Sequence, residues 1–299
     1  MQKPAADIAR TIVLTTLALI AFAANTVLCR LALGANTIDA PSFTAVRLAS
    51  GAIALMLILA LTLRTSRSVK PTRGSWFAAS MLFLYAITFS FAYLTLDTAT
   101  GALILFGAVQ ISIIVISLFS GNRLRLSEWL GVFIAFAGFV YLFLPEVKSP
   151  TIIGFVLMTA AGIAWGIYTL QGRGSKFPLS DTAYNFFRTV PLVAVPVLLN
   201  LDNLHYSARG VLLAVLSGVV ASGAGYAIWY AALRGLSATQ SAVVQLLVPI
   251  IAALGGIVFV LEPITIRLSI SAIMILGGIL LVILGRYYYA ECASKPRIQ

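Results

Sequence analysis

A chain of 299 residues, 61% of them hydrophobic and 10% charged, carries far more apolar surface than a soluble fold of that size can bury. Its expected solvent is therefore lipid, where backbone groups must bond within the protein, and continuous apolar runs of about 20 residues require helices rather than strands. The net charge of +11 does not indicate nucleic acid, because the basic residues lie mainly in short loops and tails, where they set topology and touch anionic headgroups.

The sequence predicts ten spans, at 11–33, 42–63, 75–95, 99–119, 127–144, 152–171, 182–200, 208–233, 238–260 and 266–285. The connections are too short to hold a soluble domain. Lys3 and Arg10 precede the first span, and Ala21-Phe22-Ala23 resembles a signal-peptide cleavage site. The same pattern returns inside the chain, where no signal peptidase acts, so the segment is expected to be retained. The stretch Ala21 to Arg30 reappears in span six as Ala164 to Arg173, with Ala21, Thr26 and Arg30 meeting identical residues at a constant offset. Span two opens with Pro41-Ser42-Phe43-Thr44-Ala45-Val46-Arg47, and span seven answers it with Asp181-Thr182-Ala183-Tyr184-Asn185-Phe186-Phe187-Arg188. Spans three and eight align Ser80 with Ser217, Phe89 with Tyr226 and Tyr93 with Tyr230. Span five carries Gly131 and Gly138, span ten Gly277 and Gly278, read as sites of close helix packing. Pro191 and Pro196 in span seven, and Pro249 in span nine, are expected to kink their helices.

The chain thus reads as two similar halves of five spans each, 1–149 and 150–299, the second ending in a cytoplasmic tail. Five is odd, so the second half enters the membrane inverted, an arrangement in which transporters place substrate at the repeat interface near the midplane. Of the 20 basic residues, fourteen fall on the side of the termini, four on the other side, and two, Arg47 and Arg188, within spans. That bias makes both termini cytoplasmic in a bacterial inner membrane.

On these motifs the chain resembles the EamA-type branch of the drug/metabolite transporter superfamily. The family's first-helix pattern is similar to Trp165-Gly166-Ile167-Tyr168-Thr169 and, more loosely, to Phe22-Ala23-Ala24-Asn25-Thr26. Its second-helix arginine matches Arg47 and Arg188. Its Leu-Gly-Glu turn is kept as Leu261-Glu262 but becomes Gly121-Asn122 in the first half, and its fourth-helix proline resembles Pro249. The resemblance implies an all-α integral membrane fold of ten transmembrane helices in two inverted five-helix repeats, and transport by alternating access. It extends to aromatic amino acid exporters of that family, which implies export of amino acids with aromatic or large apolar side chains.

The acids Asp7, Asp39, Asp97, Glu128, Glu146, Asp181, Asp202, Glu262 and Glu291 all fall in loops, tails or span ends. A proton- or sodium-coupled carrier generally titrates a carboxylate inside the membrane, so facilitated export is the expectation, with Asp97 the one acid placed to contradict it. Arg47 lies about 9 Å along its span from Pro41, shallow enough to snorkel. Helix packing is the favoured reading of Arg47 and Arg188; attraction of a substrate carboxylate is the other. The candidate cavity lining comprises Phe22, Asn25, Arg47, Tyr85, Phe89, Thr100, Gln110, Trp165, Tyr168, Arg188, Tyr226, Trp229, Tyr230, Gln240, Ser241 and Gln245. Any one of these could simply pack; as a set repeated in both halves, they suit a small amphipathic solute. A multidrug exporter of the same fold, possibly proton-coupled, is the alternative. A membrane enzyme is disfavoured, since the single His205 and scattered acids offer no acid pair or metal cage. Cys29 and Cys292 form no metal or disulfide framework. No cofactor is expected; the expected partners are a small-molecule substrate and membrane lipid, for a monomer.

Overall fold

The structure, a computed structural model, describes residues 5–65, 72–119, 126–143, 150–172, 175–236 and 244–294. Its elements are α1 (Ala5–Leu33), α2 (Ala40–Thr65), α3 (Trp76–Ala92), α4 (Thr98–Phe119), α5 (Leu126–Phe143), α6 (Ile152–Gly172), α7 (Pro178–Leu199), α8 (Ala208–Leu233), α9 (Val248–Val260) and α10 (Ile266–Ser294). Among the described residues seven of these are long and apolar enough to cross a membrane, while α3, the apolar part of α5 and α9 are shorter. No strand forms there; one isolated antiparallel bridge joins Ile38 to Tyr206.

Polar side chains fix where helices begin. Asp39 accepts from the Ser42 amide at 2.8 Å, Ser75 from Ala78 at 3.0 Å, and Thr151 from Gly154 at 3.1 Å. Ser207 and Thr265 do the same for Gly210 and Leu268, both at 3.1 Å. Each satisfies an amide that the helix itself leaves free, a larger matter near lipid than in water. Pro249 departs from expectation: it sits in the first turn of α9 instead of kinking a longer helix. A residue without an amide hydrogen fits that turn, where no intrahelical acceptor is available. Pro191 and Pro196 do lie inside α7. Two segments depart from α geometry, Ser217–Ala224 within α8 and Gly256–Val260 within α9, both wound as π-helix.

Packing crosses the two halves of the chain throughout. α5 lies along α10 and α2 along α7; α3 and α4 pack on α6, while α8 and α9 pack on α1. The α5–α10 seam depends on backbone approach: a Cβ at Gly278 would come 2.5 Å from the Gly131 carbonyl oxygen, and the converse substitution is equally close. Gly277 meets nothing within 4 Å, so the glycine pair of span ten is one contact residue and one bystander. Outward faces are apolar, as Ile53, Leu57 and Leu61 on α2 illustrate at 61–64% exposure. The enclosed interior, by contrast, holds Asn25, Arg47, Ser217 and Ser222.

Candidate functional site

The interior site grows from four central helices. α1 contributes Phe22, Asn25 and Thr26, α3 Tyr85 and Phe89, α6 Trp165, and α8 Ala221, Ser222 and Tyr226. With Leu105 and Phe106 of α4 they enclose a cavity of about 20 Å³, room for little more than one water. Trp165 is the hub of the rings, 4.9 Å from Tyr85, 5.1 Å from Tyr226 and 5.5 Å from Tyr168 between centroids. Phe22 meets Tyr226 and Trp229 edge-on at 5.9 and 5.7 Å, so ring contacts run unbroken from α3 through α6 and α8 to α1.

A chain of polar groups runs through these rings. Ser217 donates to the Asn25 Oδ1 at 2.6 Å, the Asn25 amide reaches the Tyr85 hydroxyl at 3.4 Å, and the Arg47 Nη2 reaches that hydroxyl at 3.2 Å. Arg47 Nε then contacts the Ser222 Oγ at 3.4 Å. In an α-helix Ser217 and Ser222, five positions apart, would point roughly 140° from each other. The π winding of Ser217–Ala224 closes that angle, which is how one helix supplies both ends of the chain. The close fit of this segment on α2 requires Gly218, where a Cβ would lie 2.2 Å from the Arg47 carbonyl oxygen.

Trp165 and Tyr226 also border a larger cavity of about 460 Å³, continued by Tyr168, Trp229, Tyr230, Arg234 and Gln245. A neighbouring cavity of about 410 Å³ shares Tyr168, Gly172, Ser175, Pro178 and Tyr230 with it and reaches Arg73, Gly74 and Asp181. Gly235 lies against Thr11, so the opening is at the face where α1 begins. At that face Asp181 and Asn185 accept from the amides of Gly74 and Ser75 at 2.8 and 3.0 Å, tying the start of α3 to α7.

The opposite face is shut. Arg30 at the end of α1 donates from Nε to Glu262 at 2.8 Å and from Nη1 to the Tyr93 carbonyl at 3.2 Å, and its Nη2 lies 3.4 Å from Asp97. Glu262 also accepts from the Thr98 amide at 2.7 Å. Beside this knot, the Asp39 amide donates to the His205 carbonyl at 3.0 Å and the His205 amide to the Asp39 carboxylate at 2.9 Å, and Thr95 meets Thr151 at 2.8 Å.

Measured against the sequence-based candidates, the structure brings together Phe22, Asn25, Arg47, Tyr85, Phe89, Trp165, Tyr168, Tyr226, Trp229, Tyr230 and Gln245. Arg47 does not snorkel: it is 1% exposed, because α2 turns it inward onto α3 and α8 instead of toward an interface. Arg188 is not brought to the rings; its guanidinium sits 5.7 Å over Trp76 and donates to the Arg73 carbonyl, a packing role at the α3–α7 seam. Thr100 lies beside Asp97 and Glu262 near the shut face, and Gln110 is buried without bordering these cavities. Gln240 and Ser241 fall outside the described residues. The sequence reading did not select Ser217, Ser222 or the Arg30–Glu262 pair for the site. Their signals were present, as two span-eight serines and the Leu261-Glu262 turn, but the partners are remote in the chain. Among the described residues no group of three or more His, Cys, Asp or Glu side chains is placed to hold a metal ion.

Comparison with known proteins agrees with this architecture. The EamA-like transporter family matches residues 152–284. An uncharacterized protein of Pseudomonas aeruginosa is 48% identical over 277 residues, covering 93% of this chain and 96% of the relative. An uncharacterized transporter of Archaeoglobus fulgidus is 29% identical over 227 residues, 71% of this chain and 78% of the relative. The uncharacterized transporter YoaV of Bacillus subtilis is 22% identical over 260 residues, 82% and 88% of the two chains. A crystal structure sharing 19% identity superposes with a TM-score of 0.62, covering 90% of this chain and 97% of that one, a likeness of fold alone.

Proposed function

We propose that this chain, whose residues 152–284 match the EamA-like transporter family and which is similar to uncharacterized transporters over 71–82% of its length, is a multi-pass membrane transporter that exports small amphipathic metabolites, amino acids with aromatic or large apolar side chains, by alternating access. In this reading α1–α5 and α6–α10 are inverted repeats and all ten helices cross the membrane. The packing supports it. Exchanging the halves turns α3 on α6 into α8 on α1, and α4 on α6 into α9 on α1, while α5–α10, α2–α7 and α4–α9 map onto themselves. A rocking motion about such an axis opens a central site to each side in turn.

The observation that carries the proposal is a ring-lined cavity of about 460 Å³, bordered by Trp165 and Tyr226 and open at the face where α1 begins, while Arg30, Glu262 and Asp97 are tied together at the opposite face. The excess of basic residues on the open side makes that face cytoplasmic, so the structure corresponds to a carrier waiting for cargo from within the cell. Rings suit an apolar side chain, and the Asn25–Tyr85–Arg47 chain suits a polar head. Purified protein in liposomes loaded with labelled phenylalanine, tryptophan or leucine is expected to release them down their gradients. Release no faster than from empty-lipid controls for every amino acid in a full panel overturns the substrate assignment.

A further inference from the structure

Arg47 is the one fully buried arginine whose surroundings the described residues leave electrically open. It is 1% exposed. Its Nε and Nη2 find only hydroxyl groups, Ser222 at 3.4 Å and Tyr85 at 3.2 Å, and its Nη1 has no hydrogen-bond partner. Its guanidinium carbon stands 5.3 Å from the Tyr85 ring centroid and 5.1 Å from that of Phe89. Ring faces and hydroxyls soften the burial of a guanidinium but do not neutralise it. The contrast with Arg30 is internal to the molecule: that arginine, more exposed, lies within 4 Å of both Glu262 and Asp97. A buried charge without a counter-ion is strongly disfavoured unless something supplies one.

Tyr85, Phe89 and Ser222, each of which meets this guanidinium, all line the central cavity. We infer that Arg47 makes the site selective for anionic cargo: when the packed rings of the central cavity part to admit a solute, its carboxylate supplies the missing counter-ion at Arg47, with its apolar part among Trp165, Tyr226 and Phe22. This rests on the ring cavity being the cargo site, and it deepens that reading by setting the charge of the cargo. Lipophilic cations, which the same rings would otherwise welcome, are excluded. Bidentate geometry also distinguishes arginine from lysine here, since a planar fork matches a carboxylate.

The test uses one ring and one chain length with three heads: 3-phenylpropanoate, 3-phenylpropanamide and 3-phenylpropylamine. Binding to the full-length protein in detergent is read by intrinsic tryptophan fluorescence, to which Trp165 contributes from within the site, and by calorimetry. The carboxylate is expected to bind at least about tenfold more tightly than the amide, and the amine not measurably. In Arg47→Gln the carboxylate loses about tenfold or more while the amide loses much less; Arg47→Lys recovers part of the carboxylate's loss. Should Arg47→Gln fail to fold, the wild-type head-group series decides alone. Equal binding of carboxylate and amine overturns the inference, as does a site that responds to chloride with no competition from carboxylates. Phenylalanine separates the two claims. If it is neither bound nor moved while 3-phenylpropanoate binds through Arg47, the amino acid assignment fails and the anion site stands. If phenylalanine is transported equally by wild type and Arg47→Gln, the transporter reading stands and the anion site fails.

Discussion

Arg30 and Arg47 sit on adjoining helices with the same side chain, and their neighbours separate them. Arg30 is held by Glu262, 232 residues away in the chain, and Arg47 by Ser222, 175 residues away. Neither partnership leaves a local trace, which is why composition and spacing could single out Arg47 as embedded in its span and mark Arg30 only as a repeated position, without telling which arginine meets a carboxylate. Trp165 is the clearest case in the other direction. Its place in the repeated first-helix pattern marks it in the sequence, and it proves to touch the rings of Tyr85, Tyr168 and Tyr226. Replacing it with alanine is expected to weaken binding of an aromatic solute about three- to tenfold, since ring pairs contribute about 0.5–1.5 kcal/mol each beyond area. Leucine should be affected less, which competition binding would reveal; an equal loss for both solutes would mean that Trp165 only holds helices apart.

Helices α8 and α10 show how one local feature decides what an element can do. The π winding of Ser217–Ala224 rotates two serines toward one polar chain, and no residue pattern announces it, because a π segment follows from how the helix settles on α1 and α2 rather than from propensity. In α10 the adjacent glycines are alike in sequence and unlike in setting. Gly278→Ala would push a methyl group to 2.5 Å from the Gly131 carbonyl, and overpacking of this kind costs about 1–3 kcal/mol. Gly277→Ala meets open space and should be neutral or gain up to about 1 kcal/mol from helix propensity. Thermal unfolding in detergent is expected to rank Gly277→Ala at or above wild type and Gly278→Ala clearly below it. The Arg30 latch can be probed through a native reporter. Cys29 is free and fully buried one residue before Arg30. In a Cys292→Ser background, Glu262→Gln keeps an acceptor for the Thr98 amide but removes the charge facing Arg30, so a membrane-impermeant maleimide should label Cys29 several-fold faster. Unchanged labelling would show that this ion pair does not keep the face shut.

For the molecule as a whole, the sequences that end the two halves differ. One face is knotted by Arg30, Glu262 and Asp97, while the matching positions of the first half carry Gly121-Asn122 in place of Leu261-Glu262. Under the proposed alternating access a ligand shifts the carrier only by binding one state better than the other, so an unequal pair of mouths is expected to set a resting preference that cargo must overcome. The acids that do lie near the helices stand at their ends, Asp39 and Asp181 in backbone contacts and Glu262 in the latch. Transport is accordingly expected to follow the solute gradient: an imposed pH gradient across proteoliposomes should leave the extent of accumulation unchanged, and uphill movement driven by protons would contradict this.

The membrane class and the helical fold were legible in the chain because each is a bulk or periodic property. Excess apolar residues leave lipid as the solvent, 20-residue runs suit helices, and paired motifs such as Phe22–Asn25 and Trp165–Tyr168 survive in single-sequence view. Much of the candidate lining was legible for the same reason, since polar and aromatic residues stand out against aliphatic spans. Which of them meet was decided only in three dimensions. Arg47 and Arg188 occupy matching places in the two sequence motifs, yet one is turned into the centre against Tyr85 and Ser222 while the other lies over Trp76. Helix rotation, π winding and contacts between remote halves set that difference, and all three follow from packing the whole chain at once.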